Sequence, residues 1–123
     1  MIKGSCLCGD IRFETSAQPK GASMCHCSQC RKQSGGIWAS AQVCDEDLTI
    51  IGPVSWFEAT PQAKRGSCQR CGSFLFWKGT AEDTTSFALG AVDGNTGLSV
   101  EKHIFTASKG DYYRIADGVP QED

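Results

Sequence analysis

Three thiols fall within six residues at Cys25-His26-Cys27-Ser28-Gln29-Cys30. Sulfurs at this spacing can grip one soft or borderline metal ion. Three of them leave a tetrahedral ion one ligand short, and an open position separates a working zinc from a structural one. Two further pairs stand far apart along the chain, Cys6 and Cys8 as C-x-C and Cys68 and Cys71 as C-x-x-C followed by Gly72. Together these pairs make four thiolates, a set closed to substrate whose bonds would staple two distant turns. This pairing is the one expected here, because it leaves the central triplet intact; spacing alone also permits Cys6 and Cys8 to join that triplet.

Three thiolates on Zn2+ carry a formal charge of −1, which makes the ion a poor acid for lowering the pKa of bound water. Thiol exchange at the fourth position suits such a centre better, since an incoming sulfur is held there as a nucleophilic thiolate. The bland alternative is a second structural zinc completed by His26, Cys44 or a distant residue. Lying between two ligands in an extended segment, His26 should point away from the ion. It is a candidate to orient substrate or shuttle a proton near neutral pH. His103 could do the same, but its strand-like context Val100-Glu101-Lys102-His103-Ile104-Phe105 favours a structural histidine. Arg31 and Lys32 directly follow the triplet and are either contacts for the carboxylates of a thiol ligand or two solvated charges. For Cys44 the expectation is a buried strand-end thiol rather than a ligand.

The elements that must position these groups read as short strands. Around Cys6 and Cys8, a tight turn feeds Ile11-Arg12-Phe13-Glu14, where apolar and charged residues alternate. Residues 16–23 predict a loop or short strand, with only Ala17 and Ala22 to pack beside Pro19. Arg31 to Gly36 predicts one helical turn stopped by the glycine pair. Ile37–Val43, Leu48–Ile51, Val54–Phe57, Phe74–Trp77 and Phe87–Val92 read as strands, and residues 58–66 as a mobile loop. The fold class expected is mainly β and antiparallel, with few short helices. Gly72 is expected to supply the positive φ that turns backbone amides toward the knuckle sulfurs.

Composition narrows the function classes. At 123 residues the chain is expected to form a single domain over 1–123. A formal charge of −2 argues against nucleic-acid binding by bulk electrostatics. With seven thiolates and two Zn2+ that charge moves by −3, to near −5. No apolar run is long enough for a membrane span, and Met1-Ile2-Lys3-Gly4-Ser5 lacks the apolar core of a secretory signal, so a cytoplasmic protein is expected. In that compartment eight cysteines favour metal over a disulfide scaffold.

Taken together, Gly4-Ser5-Cys6-Leu7-Cys8-Gly9, Cys25 to Gly35, Cys68-Gln69-Arg70-Cys71-Gly72-Ser73, and His103-Ile104-Phe105 with Lys109, Asp111 and Asp117-Gly118-Val119-Pro120-Gln121 carry a family resemblance. The chain resembles the glutathione-dependent formaldehyde-activating enzymes, a family that also includes centromere protein V. That resemblance implies a β-tent fold, a structural zinc on Cys6, Cys8, Cys68 and Cys71, and a catalytic zinc on Cys25, Cys27 and Cys30. It further implies a carbon-sulfur lyase, or the reverse synthase, joining a small thiol such as glutathione to an aldehyde such as formaldehyde. His26 and Arg31 are the non-cysteine residues expected to serve that chemistry. Two other roles are kept in view. One is a zinc-stabilised protein-binding module without catalysis; the other is a redox sensor whose open triplet sheds zinc and forms a disulfide.

Overall fold

The computed structural model describes residues 1–123 and places them mainly in strands, in two sheets. Strand β1 (Ile2–Ser5) pairs antiparallel with β2 (Arg12–Thr15), so that Cys6 and Cys8 occupy the turn between them. The period-two pattern of β2 buries Phe13 and Thr15 and leaves Arg12 outside. After β3 (Lys20–Cys25), helix α1 (Ser28–Ser34) and β4 (Trp38–Cys44), strand β5 (Leu48–Ile51) returns to the free edge of β2. The small sheet therefore runs β1-β2-β5.

Strands β6 (Val54–Thr60), β7 (Ala63–Cys68), β8 (Phe74–Gly79), β9 (Thr84–Ala88) and β10 (Lys102–Ile104) complete a seven-stranded sheet in the order β10-β3-β4-β9-β8-β7-β6. Every pairing is antiparallel except that of β10 with β3. This is the mainly β, β-tent-like arrangement expected. The core lies between the sheets. Phe13 of the small sheet meets Phe76 edge-on at 5.4 Å and Phe87 at 5.3 Å, and Ile11, Leu75, Ala41 and Val43 close around them. Burying each of those phenylalanines contributes about 2–3 kcal/mol of transfer free energy. At the β5–β6 turn Gly52 has φ 106°, and a Cβ there would stand 2.2 Å from the Asp10 carbonyl oxygen. Only glycine lets that turn lie against the cysteine-bearing loop.

Several sequence expectations are corrected. Residues 58–66 are not a mobile loop but the body of a hairpin, β6 and β7, turning at Pro61-Gln62; β7 lies between β6 and β8 and buries Ala63, Arg65 and Gly66. Its polar letters concealed an interior strand. In residues 16–23, β3 already begins at Lys20, and its buried Ala22 and Ser23 have small side chains that give little hydrophobic signal. Strand β9 begins at Thr84 and ends at Ala88; Leu89–Ala91 form a 3-10 turn instead of prolonging it. Cys44 ends β4 as expected, but exposed rather than buried. No helix is long and apolar enough to cross a membrane.

Candidate metal centre

The β1–β2 turn and the knuckle after β7 bring Cys6, Cys8, Cys68 and Cys71 together, with all four sulfurs within 4.8 Å of one another. The Cys6 and Cys8 sulfurs are 3.6 Å apart, and those of Cys8 and Cys68 are 3.7 Å apart. A tetrahedral ion with bonds of about 2.3 Å requires sulfurs about 3.8 Å apart, so this donor set fits Zn2+. Backbone amides serve the sulfurs: Ile11 N–H donates to Cys6 Sγ at 3.3 Å, and Cys71 N–H to Cys68 Sγ at 3.4 Å. Gly72, at φ 80°, donates its N–H to the Cys68 carbonyl and closes the knuckle. Hydrogen bonds from the Ser73 hydroxyl and backbone pull the Cys71 thiol down to about 5, so this sulfur is poised to ligate as thiolate.

The second cluster holds Cys25, Cys27 and Cys30, again within 4.8 Å, and Cys6 and Cys8 are not part of it. Two elements deliver the three sulfurs: Cys25 ends β3, Cys27 caps α1, and Cys30 lies in the first turn of that helix. Cys27 Sγ accepts the Cys30 N–H at 3.3 Å, so one side chain both caps the helix and joins the cluster. Trp38 and Ala88 bury Cys25 and Cys30, with Phe74 stacked on Trp38 at 4.2 Å. Cys30 is drawn toward its thiolate form. A hydrogen bond from Cys25 and the Arg65 guanidinium hold its thiol at about 6, while the shared proton and burial push Cys25 upward. No histidine or carboxylate joins these three sulfurs, and Cys44 belongs to neither cluster.

His26 is fully buried, and both ring nitrogens are engaged. Its Nδ1 lies 2.5 Å from the Tyr113 hydroxyl and its Nε2 lies 2.8 Å from His103 Nδ1. His103 Nε2 in turn reaches Asp117 Oδ2 at 2.8 Å. A single proton arrangement satisfies every member with both rings neutral: His103 Nε2–H donates to Asp117, His26 Nε2–H to His103 Nδ1, and the Tyr113 O–H to His26 Nδ1. Burial, then the neighbouring His103, lowers the pKa of His26 and so favours that neutral ring. The hydrogen bond from His103 lowers the pKa of Asp117. Burial raises that of Tyr113 and keeps its hydroxyl a donor.

Of the cations after the triplet, Lys32 is exposed, whereas Arg31 is half-buried with an Nε that has no hydrogen-bond partner. Arg65 was not foreseen at all. Its Nη1 lies 3.6 Å from Cys30 Sγ and 3.2 Å from Gln33 Oε1. A basic residue in an alternating strand beside a C-x-x-C was the available signal, hidden once the segment was read as a loop. The Tyr112-Tyr113 pair is plain in the sequence, but nothing near it names His26 as the partner of Tyr113.

A family model described as glutathione-dependent formaldehyde-activating enzyme matches residues 1–108. Among solved structures, a crystal structure of a Rhodobacter sphaeroides protein is similar with a TM-score of 0.59 and 25% sequence identity, over 76% of this chain and 89% of that one. A comparison with curated protein sequences gives no match.

Proposed function

Since the chain belongs to the glutathione-dependent formaldehyde-activating enzyme family, we propose that it is a zinc-dependent carbon-sulfur lyase, or the reverse synthase, acting on an adduct of a small thiol and an aldehyde, of which S-hydroxymethylglutathione is the type. The supporting observation is that three cysteine sulfurs gather with no fourth protein ligand, apart from a second cluster that has four. In this reading residues 1–123 act as one zinc-binding unit, with Cys6, Cys8, Cys68 and Cys71 holding the structural ion and Cys25, Cys27 and Cys30 the catalytic one. Zinc bound to the triplet would supply a seat in which a substrate sulfur stays a thiolate at neutral pH.

In the synthetic direction a carbon-sulfur bond forms while the carbonyl π bond breaks, and the carbonyl oxygen gains a proton to replace the one the thiol lost. The chain must hold that proton between the two events. His26 is proposed as a link that relays it, accepting the Tyr113 hydroxyl proton at Nδ1 as its Nε2 proton passes through His103 toward the half-exposed Asp117. Arg31, half-buried directly after the triplet, is proposed as the contact for a substrate carboxylate.

Exchange spectroscopy by NMR on mixtures of formaldehyde with glutathione, cysteine and 2-mercaptoethanol tests the reading. The zinc-loaded protein is expected to accelerate adduct formation or breakdown for at least one thiol, and Cys27→Ser to abolish the acceleration. Rates equal to the uncatalysed ones across the panel, from protein shown to hold two zinc ions, would overturn it and favour a binding module.

A further inference from the structure

Arg65 is the most deeply buried cationic side chain of the molecule, 5% exposed in the middle of β7. Taking a guanidinium out of water costs several kcal/mol unless opposite charge and hydrogen bonds replace the solvent. A carboxylate would be the ordinary partner, yet Arg65 is in none of the ion pairs of the fold. Its Nη1 has the neutral Gln33 Oε1 and the sulfur of Cys30, its Nε has no partner, and its Cζ sits 5.4 Å from the ring centre of Phe74. The negative charge that keeps this cation inside must therefore come from the Cys30 sulfur it touches and the cluster behind it.

Gln33 fixes the geometry. It stands on α1 one turn after Cys30, accepts from Arg65 through Oε1 and donates through Nε2 to Ser67 Oγ at 3.3 Å, so α1, tied to β7 through Ser67, holds the guanidinium beside Cys30. We propose that Arg65 is a specificity-determining residue of the thiol site: by offsetting the charge of the Cys25, Cys27 and Cys30 thiolates, it lets an anionic sulfur, rather than a neutral nitrogen or oxygen ligand, complete the cluster. The inference rests on the zinc reading above and sharpens its substrate class. Three thiolates and a divalent ion sum to −1. With Arg65 the buried group is neutral, and a fourth thiolate leaves it at −1 instead of −2. Charges a few ångströms apart in a protein interior interact by several kcal/mol, enough to decide which ligand enters.

The test uses the full chain loaded with Co2+ in place of zinc, because sulfur-to-cobalt absorption reports the fourth ligand without turnover. Wild type and Arg65→Met are titrated with 2-mercaptoethanol, an anionic guest once bound, and with imidazole, a neutral one. Arg65→Met is expected to keep two cobalt ions, to bind the thiol about tenfold or more weakly, and to bind imidazole within about twofold of wild type, while Arg65→Lys restores most of the thiol affinity. An equal loss for both guests, or unchanged thiol affinity, overturns the proposal in favour of a packing role. Should Arg65→Met lose the central ion or fail to fold, Gln33→Leu decides. It removes the oxygen that positions the guanidinium, and is expected to weaken the thiol alone by about threefold or more; no change overturns the proposal. A wild type that takes up one cobalt ion and shows no spectral response to thiol overturns the zinc reading itself, an outcome distinct from a responsive wild type with an unaltered variant.

Discussion

His26 occupies the position between two cluster cysteines and yet spends its ring on a different set of partners. Both nitrogens face buried or half-buried groups, so truncation leaves the Tyr113 hydroxyl and His103 Nδ1 unpaired in the interior as well as opening a cavity. His26→Ala is expected to cost about 2–4 kcal/mol in urea unfolding, with zinc content by atomic absorption unchanged, because the lost ring is not a ligand. Loss of one zinc together with stability would show instead that His26 is inseparable from the triplet. At this scale the chemistry of the cysteines was legible in advance because ligands for one ion cluster at short, regular spacings. The reverse held for Arg65 and Tyr113, which reach the site across a sheet and from the end of the chain. Contacts 35 and 87 residues long leave no local pattern to read.

Among the elements, strands with β-branched and aromatic residues between Gly and Pro were readable, since side chains on a pleated surface obey a period of two. Strand β7 was not, because its buried residues include Ala63, Arg65 and a glycine, and β3 was only half seen, because its buried Ala22 and Ser23 are small. Both strands are held by pairing with neighbours rather than by hydrophobic pattern, and both lead into cysteine turns. The four-sulfur cluster brings the β1–β2 turn to the knuckle between β7 and β8, so an ion held there would join the two sheets at their cysteine-bearing ends. Cys6→Ser and Cys71→Ser are each expected to lower the melting temperature and the zinc content together, with the double variant little worse than either single one, since either change alone opens the same closed site. A double variant with wild-type zinc content and melting temperature would refute the staple.

Across the whole molecule, the fold class followed from the number of short strands and the absence of any long amphipathic helix. Sheet order did not, because pairing partners are chosen by contacts far apart in the chain. The parallel seat of β10 beside β3 is the clearest case. It is completed by the chain end, where His103 exchanges backbone hydrogen bonds with Pro120 and Glu122. The four-sulfur site has a related property whose effect falls on the order of synthesis. Its first two ligands precede the other two by about sixty residues, as the Cys8 to Cys68 contact shows. At roughly 5–20 residues per second a growing chain carries that unfinished half-site for several seconds. An ion held by all four sulfurs can be captured only after the knuckle has emerged, so closure of this site is expected to wait for the turn between β7 and β8. Alkylation of ribosome-stalled chains should find Cys6 and Cys8 reactive until Cys71 is outside the tunnel and protected afterwards.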